Sequence, residues 1–194
     1  IENGKKSALK YYFGAPSCVP ATPFDSSGAI LDAEAVSKLL ERDDIYFLAE
    51  MMNYPGVIEQ DEQVHLKLRA AHKHLKPIDG HAPELTGEGL IAYASAGITT
   101  DHECMTIAEA EAKIALGMKV LIREGSAAKN FDDLLPLLEK YSDEIMFCSD
   151  DKHPDDLIKN GHINTLARRA VAAGYDALEV LRICSLNPVL HYKL

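Results

Sequence analysis

No apolar run in this 194-residue sequence approaches the roughly 20 residues that a membrane-crossing helix needs, so no membrane-spanning helix is expected. Lysine and arginine form no cluster, and the formal charge is −10. A protein that holds nucleic acid by its phosphates shows a basic patch, so no nucleic-acid partner is expected. The acidity suits a protein that binds small molecules or metals. Cys18, Cys104, Cys148 and Cys184 include no CxxC pair. That rules out a zinc-knuckle spacing and a dense disulfide framework, and four reduced thiols in a cytoplasmic protein are expected. No GxGxxG or GxxxxGK[ST] loop follows a strand, which leaves those modes of nucleotide binding without support. No GxSxG elbow exists, which weakens a serine-hydrolase reading. The sequence opens Ile-Glu-Asn-Gly-Lys-Lys, without an initiator Met or a charged-then-apolar leader; no signal peptide is expected, and the chain reads as a segment of a longer one.

What is present is globular. Hydrophobic residues make up 47% and charged ones 26%, values that a packed core needs and a disordered segment lacks. No Gly/Ser linker splits the chain, so residues 1–194 read as one domain. Short β-prone runs stand at 11–13, 45–48, 77–78, 97–99, 119–122 and 145–148. Segments with apolar residues at three- and four-residue spacing follow them, at 31–42, 60–75, 87–95, 107–116, 131–141 and 155–173. Thr106 and Asp132 suit helix starts, and Gly97, Gly117 and Gly174 suit helix ends. Strand and helix alternating every 20–30 residues or so is the rhythm of parallel βα units. Six units fit either an open doubly wound sheet or part of an eight-stranded barrel.

The strand ends favour the barrel. They read Gly-Ala-Pro-Ser, Ala-Glu-Met-Met-Asn, Asp-Gly-His-Ala-Pro, Thr-Asp-His-Glu, Arg-Glu-Gly-Ser and Ser-Asp-Asp. In a barrel all carboxyl ends of strands converge on one mouth, where Glu50, His81, His102 and Asp150 would meet. Two imidazoles and two carboxylates suit a divalent transition metal such as Zn, Mn or Fe, with no organic cofactor. Such an ion lowers the pKa of its water to about 7, and a nearby carboxylate can move the proton, a combination that hydrolyses carbon–nitrogen bonds.

Plainer readings stand beside this one. A lone His at a strand end is commonly a hydrogen-bonded structural residue. Glu50 could be an exposed strand terminus, and Asp150 or Asp151 could cap the helix that begins near Pro154. His65, His72 and His74 fall in a Lys-rich helical stretch and read as solvated; His153, His162 and His191 show no partner pattern. On these readings the chain is a non-catalytic α/β binding module.

The stretches FGAPSCVPATPF (13–24), FLAEMMNYPGVI (47–58), IDGHAPELTGEGL (78–90), GITTDHEC (97–104), IREGSAAKN (122–130), FCSDDKHPDDL (147–157) and LNPVLHYKL (186–194) carry a resemblance that runs through nearly the whole chain. Together they resemble the adenine deaminases of the amidohydrolase superfamily. The resemblance implies an α/β fold, a partial TIM-type (β/α)₈ amidohydrolase barrel holding strands three to eight of the parent, with the first two missing. It implies a two-metal site and hydrolysis of adenine to hypoxanthine and ammonia in purine salvage. Glu50 matches the carboxylate that bridges the metals, His81 and His102 the histidines after the fifth and sixth strands, and Asp150 the eighth-strand aspartate that binds metal and shuttles protons. Glu103 is a second acid–base candidate, and Ser149 and Asp151 are candidates to touch the purine.

The departures are specific. The superfamily's first strand supplies an HxH pair, and no HxH follows a strand-like run here; His72-Lys73-His74 falls in the Lys-rich helical stretch. Two of the expected ligands are therefore lacking, which predicts that these residues alone are inactive. Glu84 and Lys193 stand where the family has small residues, usually Gly. Two missing strands leave raw sheet edges, which predicts self-association or a homo-oligomer. EMMNYPGV and SDDKHP favour the deaminase over another amidohydrolase, such as a cyclic-amide hydrolase or a deacetylase.

Overall fold

The structure, a computed structural model, describes residues 1–22 and 24–194; Pro23, inside the 13–24 stretch, lies outside the described residues. Six strands run in chain order: β1 (Phe13–Pro16), β2 (Ile45–Met51), β3 (Ile78–Gly80), β4 (Thr100–Asp101), β5 (Lys119–Arg123) and β6 (Ile145–Cys148). They form two three-stranded parallel ladders, β1-β2-β3 and β4-β5-β6. The ladders adjoin at a seam. Thr99 donates from both its backbone N and its Oγ1 to the Ile78 carbonyl at 2.9 Å, and Gly80 N donates to Thr100 Oγ1 at 3.1 Å. A Cβ at Gly80 would collide with the Thr100 carbonyl oxygen, so the close approach of β3 to β4 requires glycine there. Six parallel strands in sequence order, each followed by helix, are an arc of a (β/α)₈-type barrel.

The helices form where the residue pattern permits a buried stripe and a cap. Asp32 caps Ala33–Leu40 by accepting from Ala35 N at 2.9 Å, and Val36 and Leu40, four apart, face the core. Asp61 caps Glu62–Lys73, which buries Val64, Leu68 and Ala71. Thr106 caps Ile107–Ala115 as expected, and Gly97, Gly117 and Gly174 follow helix ends with φ of 87°, 84° and 102°, left-handed backbone that glycine takes at no cost. One core cluster, around Leu40, Leu48, Leu68, Ile78 and Tyr93, lies under the first ladder. A second, around Val120, Ile122, Phe131, Leu134 and Ile145, lies under the other. No helix is long and apolar enough to cross a membrane among the described residues.

Several expectations are corrected. Asn130, not Asp132, stands at the start of Phe131–Leu134. The expected helix over 131–141 is three short turns, because Pro136 brings no N–H and forces a 3₁₀ segment, Leu135–Leu137. The expected helix over 155–173 is two, Pro154–Asn160 and Ile163–Ala172, broken at Gly161 with φ 76°. His65 and His72 are not merely solvated: each Nε2 lies 2.9 Å from a backbone carbonyl, of Val57 and Ala96 respectively. The helical run after residue 176, Ala177–Leu181, a π turn at Arg182–Leu186 and Asn187–Tyr192, escaped the periodicity reading. Its last turn brings the Tyr192 ring to 5.0 Å from that of Phe47, and the Tyr192 hydroxyl donates to Asp79 Oδ1 at 2.8 Å. Burial outweighs that bond and the one from Thr100, and pushes the Asp79 carboxyl up to about 6.

Candidate metal centre

Each candidate sits at or just past the carboxyl end of a parallel strand. Glu50 is near the end of β2, His81 follows β3, His102 and Glu103 follow β4, and Ser149, Asp150 and Asp151 follow β6. The arc bends these ends toward one another. Ligand atoms of Glu50, His81 and His102 lie within 4.8 Å of one another, and so do those of His102, Glu103 and Asp150. His102 belongs to both sets. The four residues singled out as ligands are thus linked through His102 into one cluster, although 100 residues separate Glu50 from Asp150 in the chain.

The geometry around the imidazoles fits a cation. His81 Nδ1 is 2.8 Å from Glu50 Oε1 and 3.3 Å from Glu103 Oε1; His102 Nε2 is 3.3 Å from each of the same two oxygens. Both nitrogens are nevertheless buried without a well-formed hydrogen bond. Ring nitrogens crowded against carboxylate oxygens without well-aligned hydrogen bonds are suited to share a cation. The charge balance agrees. Glu50, Glu103 and Asp150 bring three carboxylates against the single guanidinium of Arg123, leaving two negative charges to face the imidazoles. A divalent cation matches that deficit. The imidazoles of His102 and His81 hold the Glu50 carboxyl far below the usual range. Burial works against the charged form of His102, but the carboxylates of Glu103 and Glu50 outweigh it and raise its pKa.

Arg123 is one residue that sequence reasoning missed. It ends β5 with its side chain only 7% exposed, and its terminal nitrogens reach two acids. NH1 donates to Glu103 Oε1 and, at 2.7 Å, to Asp150 Oδ2, while NH2 donates to Glu103 Oε2 at 2.7 Å. Burial opposes ionised Glu103, yet His102 and Arg123 prevail and take its carboxyl down to about 2. The signal was a charged residue closing the apolar run Lys-Val-Leu-Ile-Arg, since an arginine is rarely buried without a partner. Asn130 was missed too. Its Oδ1 accepts from Arg123 N at 2.7 Å, and its Nδ2 donates to the Cys104 and His102 carbonyls at 2.8 and 3.3 Å.

The remaining candidates are placed as follows. Asp150 does not cap the following helix: His153 stands at that start, and Asp150, with φ 49°, gives its carboxylate to Arg123. Ser149 Oγ lies 2.9 Å from His162 Nε2, a partner the sequence did not suggest. Asp151 is exposed and lends its backbone carbonyl to Ser126 N at 2.9 Å.

A barrel arc with acids and imidazoles at the strand ends defines a class, and solved structures share its fold. A TatD homologue of Escherichia coli superposes with a TM-score of 0.67 over 99% of this chain and 80% of its own, at 14% identity. The ochratoxinase of A. niger gives 0.54 over 99% of this chain and 57% of its own, at 16% identity. The amidohydrolase family profile matches residues 1–194, and the chain belongs to that family. Its curated relatives include the adenine deaminases of Methanosarcina mazei, Salinibacter ruber and Borreliella burgdorferi, at 57%, 56% and 52% identity across all of this chain. The chain spans about a third of their length, 35%, 35% and 36% respectively.

Proposed function

We propose that these residues are the metal-holding part of an adenine deaminase, which converts adenine and water to hypoxanthine and ammonia. The convergence of Glu50, His81, His102 and Asp150 carries the reading, and relatives that bear the adenine deaminase name support it. Glu50, His81, His102 and Asp150 would hold one or two divalent ions of Mn, Fe or Zn. A bound ion supplies hydroxide at neutral pH by lowering the pKa of water to about 7. Asp150 takes up the water proton at its carboxylate and returns it to the departing exocyclic nitrogen, with Glu103 as a second acid–base group. Arg123 helps keep Glu103 ionised and fixes both acids in orientation. Ser149 and Asp151, beside Asp150 in the chain, would meet the purine ring, and its salvage in the cytoplasm is the setting this chemistry suits. The free edges of β1 and β6 would pair with a second copy, visible as concentration-dependent association in sedimentation and refuted by a monomer at all concentrations.

The test uses the 194-residue chain and Co(II), whose visible absorption reports coordination. The expected result is weak binding that disappears in the His81→Ala/His102→Ala variant, with no release of ammonia from adenine, because no HxH pair follows a strand; His72-Lys73-His74 ends a helix. Equal binding by both chains would sink the metal reading. For the substrate, the full-length protein carrying this segment should release ammonia from adenine; activity on a cyclic amide or an N-acetyl sugar instead would overturn the deaminase reading, since fold alone does not fix substrate.

A further inference from the structure

A second polar cluster lies behind the centre, sealed from solvent. Lys113, Asp101 and Cys104 are wholly buried, and Glu109 is nearly so. Asp101, Cys104 and Glu109 are grouped as metal ligands are, but a cation is already among them. Lys113 Nζ donates to the Ala82 carbonyl at 2.7 Å, to Asp101 Oδ2 at 2.9 Å and to Glu109 Oε1 at 2.9 Å, which accounts for all three of its protons.

The two carboxylates spend their other lone pairs on backbone. Asp101 Oδ1 accepts from Ala82 N at 2.8 Å, and Oδ2 accepts from Glu103 N at 2.9 Å and Cys104 N at 3.1 Å. Glu109 Oε1 accepts from Glu84 N, and Oε2 from Met105 N, each at 3.0 Å. One ammonium and two acids therefore grip residues 82–84, which follow His81, and residues 103–105, which follow His102. The two imidazole rings are 5.3 Å apart, centroid to centroid. Their separation is set by the two loops, and the loops are joined through Lys113.

We infer that Lys113 is a positioning residue, which with Asp101 and Glu109 locks the loops after β3 and β4 so that His81 and His102 meet the same ion. The inference rests on the metal reading of that site. A buried ammonium holds the loops in register without being a ligand, because its charge balances acids that would otherwise repel each other across the seam. Groups behind a ligand orient it, and their loss weakens metal binding by about 10–100-fold.

The test compares the 194-residue chain with Lys113→Met, well below the melting temperature of each, by amide hydrogen exchange and Co(II) titration. Expected is exchange faster by about tenfold or more at Ala82, Glu84, Glu103, Cys104 and Met105 together, with β5 unchanged. Co(II) affinity should fall by about tenfold or more, with an altered absorption spectrum. Should Lys113→Met fail to fold, Glu109→Gln keeps the shape and the Lys113–Asp101 pair. It should accelerate exchange at Glu84 and Met105 and weaken Co(II) by about threefold. Unchanged Co(II) affinity in a folded variant, or exchange that rises uniformly through the chain, would overturn the inference. Failure of the unsubstituted chain to bind Co(II) would count against the metal reading alone, and the exchange pattern would still decide whether Lys113 couples the loops.

Discussion

Arg123→Met is the sharpest perturbation of the site's own chemistry. The substitution keeps the stem of the side chain in its apolar bed and removes the guanidinium that Glu103 and Asp150 share. Breaking a buried ion pair by deleting one partner costs about 3–5 kcal/mol when the abandoned charge stays dry. Here the abandoned side chains are 12% and 25% exposed, so water reaches them and the expected loss is about 2–3 kcal/mol. In urea unfolding followed by circular dichroism, that is a midpoint lower by about 1–1.5 M at a slope of about 2 kcal/mol per molar. Glu103→Gln alone, and both substitutions together, complete a double-mutant cycle. A coupling of about 1–3 kcal/mol is expected, because the damage lies in uncompensated carboxylates and not in a lost hydrocarbon contact. Arg123→Lys should recover only part of the loss, since an ammonium cannot serve both acids with the geometry of a fork. A coupling below about 0.5 kcal/mol would refute the reasoning.

Other expectations concern the frame. Glu84→Gly should stabilise the chain by about 0.5–1 kcal/mol: a left-handed non-glycine residue costs about 1–2 kcal/mol, less the added freedom of glycine in the unfolded chain. Its φ is 56°, and no gain in the urea midpoint would contradict this. Burial, with Lys119 and Lys193 nearby, holds the His191 pKa down to about 4. The native state therefore keeps that imidazole neutral, and its contribution is complete above the unfolded value of about 6.5 and lost as pH falls from there toward 4. The loss is at most about 3 kcal/mol, and His191→Gln should flatten stability over that window; parallel pH profiles for the two chains would defeat it.

The order of strands and the four clustered side chains were legible because both are one-dimensional signals: alternation of apolar runs, and polar residues at the ends of those runs. Strand limits were less so. The aromatic run 11–13 looked like the first strand, yet the pairing lies at Phe13–Pro16, where Gly14 and Pro16 are poor strand formers. β1 is an edge strand, so Pro16 leaves no neighbour without a donor, and Phe47 covers Gly14. Positions 84 and 193 were visible as departures from glycine, and the structure supplies the reason, φ of 56° and 57°. Arg123, Asn130 and Lys113 were not legible. A charged or amide side chain in a strand or helix says nothing by itself about which distant loop it will hold, and their partners lie 4 to 31 residues away.

The polar groups facing the centre and those behind it are treated oppositely. His81 Nδ1 and His102 Nε2, in front, make no well-aligned hydrogen bond, while Asn130, Asp101, Glu109 and Lys113, behind, spend their donors and acceptors on the loops that carry the imidazoles. A site evolved for stability alone would satisfy the front as well, because a buried nitrogen without a partner costs about 1–3 kcal/mol. Stability is thus lodged behind the ligands, and the two layers should separate on mutation. His81→Ala removes a poorly satisfied group beside two carboxylates and should change the free energy of unfolding by no more than about 1 kcal/mol in either direction. It should abolish Co(II) binding all the same. If His81→Ala cost as much stability as Arg123→Met, the imidazole would be a structural residue, and the contrast between front and back would lose its meaning.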